Sequence, residues 1–391
     1  MTWIGFLVSL IAVLVISRKS LALGLIPGAI ILGLFTLPVG VLLKQLLDTI
    51  TDPNILLLAL AMGLVPLIGG TMRDSGQVDD LVAGLHLPRR FLLAFSAALM
   101  GLLPMPGGAL LSAPILEKAG SDLGGNLISA INNWFRHTFI LIYPLSPALI
   151  VSANIAGIDV YRAIIYVFPL FALSMILGYI FYLRRVEETA VAQKSSSRLN
   201  LIVPLAVILS PPVLDFVLKR AFGLDASATL IGVMTGISLS VLFSRVRLNL
   251  GDITRRTRPW NFAFIILGMF IYLHVFQKSD AGAMIASLPL PPLLLAVLAG
   301  FLLGLATGRV QLPASIIFPV YLGAVGMVTP TVFALIYTSV YFGYIISPVH
   351  PCLVVTCEYF RTPVRDVVVS LAAPTMIVVG VVLAISAALM L

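Results

Sequence analysis

Apolar runs separated by short polar stretches recur along the whole chain, near residues 3–17, 21–43, 55–72, 126–153, 160–183, 199–218, 226–244, 260–277, 330–357 and 364–390. A helix of roughly 20 apolar residues crosses a hydrocarbon core of about 30 Å and satisfies its backbone groups internally. The pattern predicts an all-α integral membrane protein with ten crossings.

Two further apolar stretches break this rhythm. Residues 91–119 are interrupted by Pro104, Pro106, Gly107 and Gly108, and residues 291–327 by Thr307, Gly308, Arg309, Val310 and Gln311. At 1.5 Å per residue the segment 91–103 reaches only about 20 Å, too short to cross, so each stretch reads as a re-entrant hairpin. Charge placement favours this reading over a single kinked crossing. With hairpins and an outward N-terminus, seventeen Lys and Arg fall on the cytoplasmic side and five outside; single crossings would split the same loops equally.

A spacing of about 200 residues then relates the two halves. Asp74 and Gly76 match Asp280 and Gly282, Gly101 and Ser112 match Gly304 and Ser315, and Pro144 and Pro147 match Pro348 and Pro351. An odd number of crossings precedes the polar linker 184–198, so the second unit enters the membrane upside down. The organisation expected is a first inverted repeat over 1–183 with its hairpin at 91–119, a cytoplasmic linker at 184–198, and a second repeat over 199–391 with its hairpin at 291–327. Each repeat carries five transmembrane helices and one re-entrant hairpin, and both termini face away from the cytoplasm.

Composition agrees: the 391 residues are 60% hydrophobic and 10% charged, whereas soluble domains carry about 25% charged residues. The net charge of +8 resides in short loops between spans and reports topology, so nucleic acid is not an expected partner. Membrane lipid is, with the basic loops facing the surface. Cys352 and Cys357 alone cannot build a disulfide framework or a four-ligand zinc site and read as buried thiols; no metal site is expected. The first apolar run is followed by Arg18 and Lys19 without a small-residue cleavage site, the reverse of a secretory signal.

Candidate chemistry gathers at paired interruptions. Each late helix carries a proline pair, Tyr143-Pro-Leu-Ser-Pro147 and Ser347-Pro-Val-His-Pro351, and matched helix breaks at membrane depth point to a binding site. The hairpin breaks expose helix N-termini, which attract anions. Gly107, Gly108 and Gly308 admit a ligand close to the backbone, while Ser112, Ser146, Thr307, Gln311, Ser315 and Ser347 offer polar contacts. Arg136 and Arg309 lie in apolar surroundings, where a charge costs about 2.5–3.5 kcal/mol on insertion scales, an expense offset by a carboxylate or phosphate. A structural ion pair is the alternative, with Glu358 the acidic candidate. Asn132 and Asn133 offer amides on different helix faces, with Asn133 taken to face the ligand. His137, His350 and Glu358 are candidates for proton or ion coupling.

Inverted halves of five crossings with opposed hairpins and broken helices resemble the ion transporter superfamily. More narrowly, Met105-Pro-Gly-Gly-Ala109, Thr307-Gly-Arg-Val-Gln311 and Ser347-Pro-Val-His-Pro351 resemble an uncharacterised prokaryotic integral membrane family near the gluconate-type permeases. The paired Ser-Asn-Thr hairpin motifs of the dicarboxylate branch are absent, so that branch's sodium sites do not carry over. The resemblance implies a homodimeric elevator transporter of the inner membrane, in which the first helices of each half form a scaffold and the hairpins and broken helices move the substrate.

The leading expectation is secondary active transport of a small organic anion, a carboxylate or sugar acid, coupled to a sodium or proton gradient. No nucleotide-binding loop is present and no cofactor is expected beyond sodium as a coupling ion. An uncoupled anion channel or permease would share the arginines. An intramembrane enzyme has less support, because H-E-x-x-H, G-x-S-x-G and paired intramembrane aspartates are all missing. The topology makes a direct prediction: a cysteine placed at Ser196 in intact cells should stay protected from a membrane-impermeant thiol reagent added outside. Labelling from outside would overturn the inverted arrangement.

Overall fold

The computed structural model describes residues 2–17, 21–84, 87–103, 109–188, 198–281, 284 and 290–390, and among these the regular structure is entirely helical. The first half forms α1 (Thr2–Ile16), α2 (Leu21–Thr36), α3 (Val39–Thr51), α4 (Pro53–Asp74), α5 (Gln77–Gly84), α6 (Arg89–Gly101), α7 (Ala109–Ala119), α8 (Gly125–Ile140), α9 (Pro147–Ile155) and α10 (Val160–Phe181). The second forms α11 (Ile202–Phe222), α12 (Ala226–Leu242), α13 (Leu250–Thr257), α14 (Pro259–Lys278), α15 (Pro292–Thr307), α16 (Gln311–Val325), α17 (Pro330–Ile345), α18 (Pro351–Tyr359) and α19 (Val364–Ala388). Residues 189–197 of the linker lie outside the described residues.

Local chemistry sets these boundaries. Proline opens α4, α9, α14, α15, α17 and α18, at the position where its missing N–H costs nothing and its fixed φ suits a helix. Asp52 caps α4 by accepting from the Asn54 and Ile55 amides, Asp159 caps α10 and Thr329 caps α17. The span expected over 21–43 ends sooner, at Thr36, because Pro38 disfavours helical backbone just before it; residues 39–51 form a separate helix.

Among the described residues, five helices are long and apolar enough to cross a membrane: α4, α10 with the short turn that follows it, α11, α14 and α19. Others on the expected spans, α1, α2, α12 and α17, are shorter apolar helices, and the expected crossings over 126–153 and 330–357 are each interrupted. Leu34, Ile165, Phe222, Leu242 and Leu302 are exposed, a surface suited to hydrocarbon and not to water. The protein is a multi-pass membrane protein.

Packing sorts the helices into two groups. In the first, α1 packs on α2, α11 on α12, and α4 and α14 join them. In the second, α6 packs on α7 and α8, α15 on α16 and α17, and α10, α18 and α19 close around α8 and α17. Residues 128–138 of α8 are buried without exception, as is nearly all of α17, so these two helices are the centre of the second group. The Gly101 Cα comes so close to the Arg136 carbonyl, and that of Gly304 to the Val340 carbonyl, that an added Cβ would sit at 2.5 and 2.3 Å. Glycine at these two positions permits α6 to lie on α8 and α15 on α17.

Ion pairs gather the loops at two ends. Arg256 meets Asp74, Arg245 meets Asp80 at 3.7 Å, Arg89 meets Asp122 and Arg90 meets Glu188 at 3.7 Å. These bring together loops that the charge pattern assigns to one face. At the other end Arg220 meets Asp159 at 3.2 Å.

Arg89 is buried and also donates to the carbonyls of Ala119 at 2.8 Å and Glu187 at 3.0 Å, tying the start of α6 to the end of α7 and to the stretch after α10. Arg89→Ala strands two carbonyls and should destabilise by about 1–3 kcal/mol; the exposed Arg247→Ala should be neutral. Melting curves in detergent compare them. The Arg89 guanidinium hydrogen-bonded to Asp122 holds that carboxyl below the usual carboxylate range. Its contribution is therefore present above the unfolded value of about 3.9 and lost as pH falls through the lowered folded value. The melting difference between wild type and Asp122→Asn should shrink over that acidic interval and be constant above it.

Candidate functional site

α8 stops at Ile140 and the chain resumes helix at Pro147; α17 stops at Ile345 and resumes at Pro351. At each break a proline opens the new helix, and neither Ser146 nor His350, the residues just before, caps its helix with its side chain. The amides of the first turns of α9 and α18 are thus left to other partners. The tip between α15 and α16 adds a third interruption. Gly308 ends α15 in the left-handed region at φ +59°, where a Cβ would meet the backbone of Val349 and His350 at 2.9 Å. Only glycine lets this tip rest against the break in the other helix.

The interruptions meet at a cavity of about 330 Å³. Its polar lining comes from Arg136 and His137 on α8, Tyr143 and Ser146 in the first break, Arg309 and Gln311 at the tip, Tyr341 and Tyr344 on α17, and His350 and Cys352 at the second break. Phe262 and Ile265 of α14 complete the wall, so the cavity lies where the two helix groups meet. The N-termini of α9, α16 and α18 border it through Pro147, Gln311 and Pro351, and each brings the positive end of a helix dipole. The C-terminal ends of α8, α15 and α17 arrive at the same breaks with their carbonyls.

Arg309 is half-buried, and its guanidinium makes no hydrogen bond or ion pair to any described residue. Arg136 is buried. The Tyr341 hydroxyl donates to the His137 carbonyl at 3.0 Å, and the rings of Tyr344, His137 and His350 pack on one another with centroids 4.0–5.3 Å apart.

Of the residues singled out from the sequence, Arg136, His137, Ser146, Gly308, Arg309, Gln311 and His350 come together here. Gly107 and Gly108 lie outside the described residues. The others are placed elsewhere, for physical reasons. Asn133 donates to the Ile345 carbonyl at 3.0 Å and Ser347 to the Leu305 carbonyl at 2.6 Å, satisfying oxygens that helix ends set free. Ser112 donates to Asn132 at 2.7 Å, and Asn132 donates to Thr356 at 3.3 Å, joining α7, α8 and α18. Ser315 and Thr307 bond back to Leu312 and Leu303 within their own helices. Glu358 is exposed at the end of α18, and among the described residues it forms no ion pair, with Arg309 or otherwise. Tyr143, Tyr341, Tyr344 and Cys352 were not anticipated, because long apolar segments give no sign of which face turns inward.

The fold and this cavity define a multi-pass, all-α membrane protein with a polar site at paired helix breaks. Over residues 3–390 the chain matches a family described as a protein of unknown function, DUF401, and it belongs to that family. None of the curated proteins matches its sequence. Among solved structures it is similar to the crystal structure of the YdaH transporter of Alcanivorax borkumensis, described as having an unusual topology. The two share 14% identity and a TM-score of 0.59 over 98% of this chain and 97% of that one, a likeness of fold.

Two glycines separate the causes of strain at the tip. Gly326 also has positive φ, at +86°, but open space around its Cβ position. Gly326→Ala should cost only the left-handed penalty of about 1–2 kcal/mol, whereas Gly308→Ala must also displace the 349–350 backbone and should melt several degrees lower than Gly326→Ala. Equal melting temperatures would show that the close approach carries no energy.

Proposed function

We propose that the chain is a secondary active transporter of a small organic anion, a carboxylate or sugar acid, with its substrate site in the cavity at the two helix breaks. The observation that carries this reading is the convergence of Arg136, Arg309 and three helix N-termini on one cavity of about 330 Å³. Guanidinium groups and helix N-termini both favour anionic oxygen, and that volume suits a small solute. The carbonyls at the ends of α8, α15 and α17 suit a coupling cation such as sodium, as matched half-helix ends do in transporters; His137 and His350 are the proton-coupling alternative. The likeness in fold to a protein described as a transporter supports the same class.

In this reading the halves are inverted repeats, α6–α7 and α15–α16 are the re-entrant hairpins, and α1, α2, α4, α11, α12 and α14 form a scaffold. The second helix group, carrying both breaks, slides against it as an elevator within a homodimer of the inner membrane, with both termini extracytoplasmic. The separation of the packing into two groups that meet at the cavity is what favours this motion over a fixed pore.

Arg309 supplies the test. Lysine keeps its charge but not the planar fork that engages two oxygens, so Arg309→Lys should weaken binding with the fold intact. Arg309→Ala should lose on the order of tenfold to several-thousandfold in affinity, from the 2–5 kcal/mol or more that a buried charged partner commonly carries. Since Arg309 has no protein partner among the described residues, its unliganded melting temperature should hardly change. A thermal-shift screen of carboxylates, sugar acids and inorganic anions, with and without sodium and at two pH values, identifies the ligand. Unchanged affinity in Arg309→Ala would remove this residue from the site, and absence of saturable counterflow in proteoliposomes would point to an uncoupled permease.

A further inference from the structure

Three metal-ligating side chains meet in the wall of the cavity. His137 of α8, His350 at the second break and Cys352 in the first turn of α18 bring their nearest ligating atoms within 4.8 Å of one another. The two histidine rings lie edge to face with centroids 4.5 Å apart. One comes from each half of the chain, and neither the charge pattern nor the repeat relates them.

The hydrogen bonds around the trio prepare it for a cation. His137 Nδ1 lies 2.6 Å from the Asn133 carbonyl. A carbonyl only accepts, so Nδ1 carries the proton and Nε2 keeps its lone pair. Donation of the other ring N–H to a carbonyl is the arrangement that orients a metal-binding histidine. His350 is fully buried, yet neither of its ring nitrogens makes a well-formed hydrogen bond; the nearby Ile345 carbonyl already accepts from Asn133. A buried imidazole with both nitrogens unsatisfied is costly unless something binds it. Cys352 is a free thiol, half-buried and on the cavity wall.

We propose that His137, His350 and Cys352 form a binding site for a soft divalent transition metal of the zinc class, with a fourth position open to the cavity. Zinc takes both imidazole nitrogen and thiolate sulfur as ligands, and three protein ligands with one exchangeable position distinguish an open centre from a closed structural one. Tetrahedral coordination at the usual bond lengths places ligand atoms roughly 3.3–3.6 Å apart, so closing from 4.8 Å requires an inward shift of roughly 1 Å, within the reach of side-chain rotation. On coordination the Cys352 thiol releases its proton to solvent, and the thiolate offsets one of the metal's charges. Arg136 and Arg309 line the same cavity and oppose a cation. That repulsion selects against hard ions such as calcium or magnesium, which would find no carboxylate in this lining, and leaves the bonding to sulfur and nitrogen as the driving term.

The test uses the full chain in detergent, stripped with chelator and titrated with zinc or cobalt alone. We expect one zinc retained per chain after desalting, and a thiolate-to-cobalt charge-transfer absorption that Cys352→Ser abolishes. Cys352→Ser and His350→Ala should each lower zinc affinity by at least about tenfold, the lower end of the loss seen when even an outer-shell partner is removed; Cys357→Ser should bind as wild type. Because Cys352 lies on the cavity wall and not in the core, its variant decides the matter should His350→Ala fail to run as a monodisperse peak. No stoichiometric zinc in a folded, monodisperse protein, or a cobalt spectrum unchanged by Cys352→Ser, overturns the proposal. Neither outcome bears on anion binding through Arg309, so the two readings fail separately.

Discussion

Every peptide group of a chain immersed in hydrocarbon must find its partner inside the protein, and two helices interrupted by prolines make that requirement hardest to meet. Here α8 and α17 both stop short, and the chain restarts at Pro147 and Pro351. Each break frees carbonyls on one side and amides on the other. The deepest burial in the second helix group surrounds these two helices, because only a fully packed setting can supply the missing partners.

The way those partners are found explains the division of labour among the polar residues. Carbonyl oxygens near the breaks are taken by Asn133 and Ser347, and the network from Ser112 through Asn132 to Thr356 fastens α7 to the restarted helix α18. The amide ends of α9, α16 and α18 instead open on the cavity, beside two arginines. Side chains that satisfy carbonyls build the frame, and the positive helix ends border the cavity. The glycines serve the same end, since Gly101, Gly304 and Gly308 bring backbone against backbone where a Cβ would hold the elements apart.

The lining mixes groups that favour anions with a trio that favours a soft cation. Arg309 extends from the tip between α15 and α16, whereas His137, His350 and Cys352 lie on α8 and at the start of α18. Elements from both halves of the chain therefore meet in one small volume, walled on its other side by Phe262 and Ile265 of α14.

Much of this was legible in one dimension. Hydrophobic run lengths announce a membrane protein, because twenty apolar residues have no other stable setting; the proline pairs and Gly-Arg interruption mark where helix must fail; Arg136 and Arg309 mark themselves by the cost of a charge in an apolar stretch. What a linear pattern cannot show is which face of an apolar helix turns inward, since every face is apolar. Only the tertiary packing decided that Asn133, Ser112, Ser315, Thr307 and Ser347 satisfy backbone and neighbours while Tyr143, Tyr341, Tyr344 and Cys352 line the cavity, and that Glu358 stays at the surface, far in role from the arginine it was matched with. The meeting of His137 with His350 is likewise a product of folding: 213 positions separate them in the chain, and the contact exists because two broken helices from opposite halves cross at their interruptions.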